Sequence, residues 1–102
     1  MAKSKEKHKW INPDSDELFK AILQLKNIQE ARKFFRDLLT VKEILEFSKR
    51  WKAARMLYKR IPYSKIEKET GLSSTTIARV QKWLKRGMGG YRLILKRMEE
   101  KK

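Results

Sequence analysis

The residues best suited to chemistry lie in one run: Ser73, Ser74, Thr75, Ala78, Arg79 and Lys82. Their spacing places three hydroxyls, a methyl and two cations on the outer face of one helix. Hydroxyls donate or accept at phosphates and base edges, a methyl packs on the thymine C5-methyl, and arginine or lysine reads guanine. Hydrolytic or redox chemistry has no comparable set. His8 is the single histidine, there is no cysteine, and no carboxylates are spaced for metal ligation. No catalytic residue, metal or cofactor is therefore expected. One of Ser73 and Ser74 is also expected to cap the helix, whatever else it does. Lys82, Lys85 and Arg86 suit phosphate contact or a solvated face better than base reading.

Positioning that face requires a partner helix. The run Tyr63 to Thr70 is a short helix ending at Gly71, the residue that most readily adopts positive φ. Ser73 then caps a second helix reaching about Arg86. A DNA-binding helix-turn-helix has this layout, with apolar residues where its helices touch and a polar outer face that enters a groove. Counting Tyr63 as the first position, Gly71 is ninth, at the turn, and Ile66, Leu72, Ile77 and Val80 fall at the inter-helix contacts. Two positions depart from the pattern: Glu67 where a small residue is usual, and Thr70 where an aliphatic one is. A plain helical hairpin within a bundle remains the alternative. Tyr63, Ser64 and Lys65, opening the first helix of the pair, are placed for a phosphate, since helix dipole and free amides favour an anion there.

The rest of the chain also reads as helix, giving an all-α fold of about six helices. From Asp14 to Ile61 there is no glycine or proline, and apolar residues recur at helical spacing. Phe19, Ile22 and Leu23 form one stripe; Ile28, Ala31, Phe35 and Leu38 form a second. Asp14, Ser15 and Asp16 favour a helix start after Pro13. Thr40 and Glu43 have capping-box spacing, and the helix beginning there is expected to bury Ile44, Phe47, Trp51, Ala54 and Tyr58 before Pro62 ends it. Gly87, Gly89 and Gly90 precede a last stripe of Tyr91, Ile94, Leu95 and Met98. Trp51 is expected in the core and Trp83 beside Tyr91, while Trp10 is left open. Glu67 and Glu69, flanking Lys68, are expected in surface ion pairs.

Net charge is +15 over 102 residues, and it is unevenly spread. Residues 1–12 sum to +3, 13–40 to zero, 41–60 to +5, 61–86 to +4 and 87–102 to +3. A partner with a regular row of negative charges suits this distribution, because each neutralised phosphate releases counterions. No uncharged stretch approaches the roughly 20 apolar residues of a membrane helix. Without cysteines, an intracellular setting is the simplest reading, with residues 1–12 as a basic tail. Three classes stay open: a sequence-specific double-stranded DNA-binding regulator, a basic RNA-binding or ribosome-associated accessory protein, and a helical interaction module.

The stretch from Leu38 to Lys85 resembles the Trp repressor family. The resemblance is carried by "LLT" at 38–40, Arg50 ten residues after the threonine, and "KETG" followed by "STTIAR" at 74–79. The tail "RGMGGYRLILKR" at 86–97 is similar to the uncharacterised Trp-repressor-like branch. The resemblance implies an intertwined homodimer presenting two helix-turn-helix units to a palindromic operator, and a cytoplasmic, nucleoid-associated bacterial-type protein. On that scheme residues 13–40 are the dimerisation arm, 41–86 the DNA-binding head with its helix-turn-helix at 63–86, and 87–102 a C-terminal helix. In the tryptophan-responsive member two arginines sandwich the corepressor indole. Arg50 and Arg79 match them here, with Thr40 and Val80 completing the implied effector pocket. That member has glycine where this chain has Val80, which implies a filled pocket and no tryptophan response.

Overall fold

The computed structural model describes residues 9–101. The expected basic tail, 1–12, lies outside the described residues through position 8, His8 included. Among the described residues six helices run in order: α1 (Pro13–Ile22), α2 (Ile28–Leu38), α3 (Val41–Tyr58), α4 (Tyr63–Thr70), α5 (Ser74–Arg86) and α6 (Gly90–Glu100). Among the described residues there is no strand, and no helix is long and apolar enough to cross a membrane. The described residues through Thr40 form one compact unit and those from Val41 a second.

In the first unit, short polar side chains set the helix starts. The Asn12 side chain accepts from the Ser15 amide at 2.9 Å, while Ser15 Oγ accepts from the Asn12 amide at 3.0 Å. This reciprocal cap satisfies two otherwise orphan donors, with Pro13 in the first turn where its missing N–H costs nothing. The cap is thus Asn12, one residue before the proline, and not the Asp14–Asp16 cluster that the sequence suggested. Asn27 starts α2 the same way, accepting from the Glu30 amide at 2.9 Å, and Glu30 reaches back to the Lys26 amide at 3.0 Å. Neither helix has a buried residue. Phe19, Leu23, Ile28 and Leu38 are exposed although they sit on the apolar stripes.

The second unit holds the core. Ala53, Ala54, Met56 and Leu57 of α3 pack with Ile66 of α4, Leu72 of the turn, Ile77, Val80 and Leu84 of α5, and Leu95 of α6. The paired alanines, both 0% exposed, let neighbouring helices approach α3 closely. This corrects the expected α3 stripe. Ala54 is buried, but Ile44, Trp51 and Tyr58 are half-buried and Phe47 is exposed. The reason is positional: α4, α5 and α6 pack on α3, and its buried residues all lie from Ala53 onward. Val41, Leu45 and Phe47, on its first turns, stay exposed. Trp51 meets Tyr91, with ring centroids 6.0 Å apart. Trp83 is exposed and lines a shallow groove together with Tyr91, the neighbour expected of it. Trp10 is exposed as well.

Two chain reversals fix α4. At the first, the Ile61 amide donates to Met56 O at 3.0 Å and the Arg60 amide to Leu57 O at 2.9 Å, the paired bonds that close a helix C-terminus. The residue between must be left-handed, and it is Arg60, at φ 61°. A side chain there costs about 1 to 2 kcal/mol that glycine would avoid. At the second, Gly71 is left-handed at φ 76°, with open space around the site of an added Cβ. Gly71→Ala is therefore expected to cost about 1 to 2 kcal/mol through backbone conformation alone. Chemical denaturation with an unchanged m-value checks this.

Candidate nucleic-acid interface

The α4–turn–α5 unit fits the layout expected of a helix-turn-helix. Ile66, Ile77 and Val80 are 0% exposed and Leu72 is 8% exposed, so the four expected inter-helix positions are all buried. Thr70, the departure from the aliphatic pattern, is also buried. Its hydroxyl donates to Ile66 O at 2.7 Å and accepts from the Leu72 amide at 3.1 Å. The threonine thereby serves a turn amide that an aliphatic side chain would leave unpaired. Glu67, the second departure, is exposed and disturbs nothing.

With Ile77, Val80 and Leu84 turned inward, the opposite face of α5 is fixed. Ser73, Ser74, Thr75, Ala78, Arg79 and Lys82 are all exposed. Ser73 is the cap, its Oγ accepting from the Thr76 amide at 3.1 Å, and it also donates to Thr76 Oγ1 at 3.1 Å. Ser74 and Thr75, in the first turn, carry no capping duty. Arg79 and Lys82 make no ion pair among the described residues. The face therefore offers two hydroxyls, a methyl and two uncommitted cations on a rigid helix.

Tyr63, Ser64 and Lys65 are exposed on the first turn of α4. Pro62 occupies the cap position and gives no side-chain cap; the Lys65 amide donates to Pro62 O at 3.1 Å, which leaves the Tyr63 and Ser64 amides for an outside acceptor. Lys65 Nζ lies 3.9 Å from Glu69, which also faces Lys52 at 3.9 Å. These exposed contacts hold Lys65 only weakly. Of the two glutamates expected in surface ion pairs, Glu69 forms them and Glu67 does not among the described residues.

The residues implied for an effector pocket do not form an open hollow around Val80. Val80 is sealed in the core. Arg50 is half-buried, with its guanidinium 5.5 Å from the Phe47 ring centre, and Arg79 is exposed on the outer face of α5. Thr40 directly precedes α3, at the end of the first unit. A cleft lies elsewhere. It measures about 680 Å³ and is lined from α3, the α3–α4 turn, α4, α5 and α6. Arg60, Gln81, Arg92 and Lys96 line it, none of them singled out by the sequence pattern. The one available signal was a helix ending on arginine where glycine is usual. Tyr58, also in its wall, donates a hydrogen bond to Glu99 at 3.3 Å. Its pKa is raised, first by desolvation and then by the Glu99 carboxylate, so the phenol stays protonated.

Residues 14–99 match the sequence profile of the Trp repressor protein family. The chain is 45% identical over 85 residues to the uncharacterized protein YerC of Bacillus subtilis (strain 168), spanning 83% of this chain and 82% of that one. Among the solved structures similar to it are two crystal structures. One is a TrpR-like protein from Eubacterium eligens ATCC 27750, at TM-score 0.86 and 40% identity over 89% of this chain and 94% of that one. The other is a candidate Trp repressor from Staphylococcus aureus, at TM-score 0.84 and 44% identity over 89% and 91% of the respective chains.

Proposed function

Because the chain belongs to the Trp repressor family, we propose that it is a sequence-specific double-stranded DNA-binding transcriptional regulator that acts as a homodimeric repressor on a palindromic operator. The observation that carries this reading is the outer face of α5, where Ser74, Thr75, Ala78, Arg79 and Lys82 are exposed together on a helix locked from behind by three buried aliphatic residues. Thr75, Ala78 and Arg79 read base edges. Lys82, with Tyr63, Ser64 and Lys65, holds phosphates, and Ser73 fixes the helix start. The division of charge supports the same assignment, with +5 on residues 41–60 and +4 on 61–86 against zero on 13–40. The reading involves no catalytic step.

The dimer rests on the first unit. α1 and α2 expose Phe19, Leu23, Ile28 and Leu38 and bury nothing, a condition that a second copy's apolar surface relieves. Residues 13–40 are accordingly the dimerisation arm, 41–86 the head, and 87–102 the helix that closes the head. Two heads related by a two-fold axis meet half-sites about one helical turn apart, roughly 34 Å. Tryptophan does not act as effector in this reading, because Val80 occupies core volume that the indole would need.

Salt dependence tests the nucleic-acid assignment. Duplex affinity is expected to fall with salt at a logarithmic slope of about −0.9 per phosphate neutralised. Lys82→Ala is expected to weaken all duplexes together and to reduce that slope by about one for each head engaged. Equal competition by structured RNA would point to an RNA-binding accessory protein instead.

A further inference from the structure

The cleft beside α4 collects cations without an evident structural purpose. Arg60, Lys85, Arg92 and Lys96 all line it, and no carboxylate does. None of the four makes an ion pair among the described residues. Four like charges around one concavity repel each other, and a concave low-dielectric wall focuses their field outward. The cleft volume, about 680 Å³, falls in the range of small-molecule sites.

Arg60 adds a second, independent sign. Its φ of 61° is the conformation that glycine serves at a helix end, so the chain carries backbone strain at the position that brings a guanidinium to the cleft. Strain held where the fold does not need the side chain points to a ligand. Gln81 adds a third. It lines the same wall, and its Oε1 is buried with no hydrogen-bond partner, so turning that amide toward a ligand donor breaks no existing bond. The remaining wall is aromatic and aliphatic, with the Tyr58 and Tyr63 rings on it.

We propose that this cleft binds a nucleotide: a flat ring joined to two or more phosphate charges. The four cations take the phosphates, the arginines in bidentate fashion. The tyrosine rings flank the base, and the Gln81 carbonyl receives an amino or ribose hydroxyl donor. A DNA backbone passing this wall would satisfy the charge, but its phosphates and deoxyribose offer no donor to Gln81. This site lies apart from the base-reading face of α5 and shares only Tyr63 with the phosphate-holding residues proposed above.

The test is isothermal titration of the full-length protein at physiological salt with ATP, GTP, pyrophosphate and adenosine. Arg60→Gly and Lys96→Ser are compared with the parent chain. One nucleoside triphosphate is expected to bind at one site per chain, at least about ten-fold more tightly than pyrophosphate or adenosine. Each substitution is expected to weaken it by about ten-fold, the loss of one charged hydrogen-bonding partner. Arg60→Gly relaxes the left-handed backbone, so its unliganded thermal midpoint is expected to hold or rise. If that midpoint falls instead, Lys96→Ser, at an exposed position on α6, decides alone. No saturable heat with either triphosphate at millimolar concentration would overturn the proposal, as would pyrophosphate binding equally well. Unchanged affinity in Lys96→Ser would overturn it too.

Discussion

Replacing Ile77 by alanine is expected to cost about 2 to 5 kcal/mol of folding stability, among the largest losses from a single truncation in the head. Ile77 is 0% exposed and sits where α5 meets the rest of the core. Truncation removes buried methyl groups and leaves a cavity that Ala53 and Ala54, already small, cannot fill from the α3 side. A domain of this size has roughly 5 to 15 kcal/mol in all, so the loss is a large share. Val80→Gly tests the same wall and adds the entropic cost of a glycine within a helix, about 1 kcal/mol. Urea unfolding measures both. A loss below about 1 kcal/mol in Ile77→Ala, short of the range for such truncations, would mean that α5 is not anchored as described. Recovery of Val80→Gly by tryptophan would reveal a pocket that the valine fills.

The second large effect concerns recognition. Arg79→Ala is expected to weaken binding to the preferred operator by about 1 to 3 kcal/mol per half-site while changing nonspecific duplex binding much less. Arg79 is exposed on the same α5 face as Thr75 and Ala78, one helical turn beyond Thr75, and no carboxylate pairs with it among the described residues. A bidentate guanidinium contact to guanine distinguishes base pairs, whereas Lys82 supplies a point charge to the backbone. Competition assays against mutated operators separate the two. Intact sequence preference in Arg79→Ala would mean that α5 is not the recognition helix.

How much of this was legible beforehand depended on whether a signal was local. The α4–α5 region was readable because each boundary has its own residue: Pro62 cannot continue a helix, Gly71 takes the left-handed turn, and Ser73 caps α5. Ile66, Leu72, Ile77 and Val80 then came from periodicity, and the exposed face of α5 came from them. Thr70 looked like a flaw in the pattern, because its hydrogen bond to the Leu72 amide is not visible in a string of residue types.

α3 was misread for a different reason. Its apolar residues lie on more than one side, and which side is buried depends on where α4, α5 and α6 arrive. Periodicity selected Ala54, Trp51 and Tyr58, which lie in the core or pack against it, but also Phe47, which is exposed, and it passed over Ala53, Met56 and Leu57. The start of α1 was placed a residue late because acidic side chains in a first turn and a true cap give similar signals; the reciprocal bonds join Asn12 to Ser15. The cationic cleft left almost no trace in the sequence beyond an arginine at the end of α3. Arg60, Lys85 and Lys96 are far apart in sequence, and each alone resembles an ordinary solvated charge.

If α5 reads duplex sequence, the protein should select its own targets. The most direct measurement is selection by the full-length protein from a random double-stranded DNA pool at physiological salt, with excess structured RNA as competitor. A two-fold symmetric motif with half-sites about one helical turn apart is the expected result. Loss of its base preference in Arg79→Ala would tie that motif to α5. Retention on the RNA, with no duplex enriched, would contradict recognition of duplex sequence by α5.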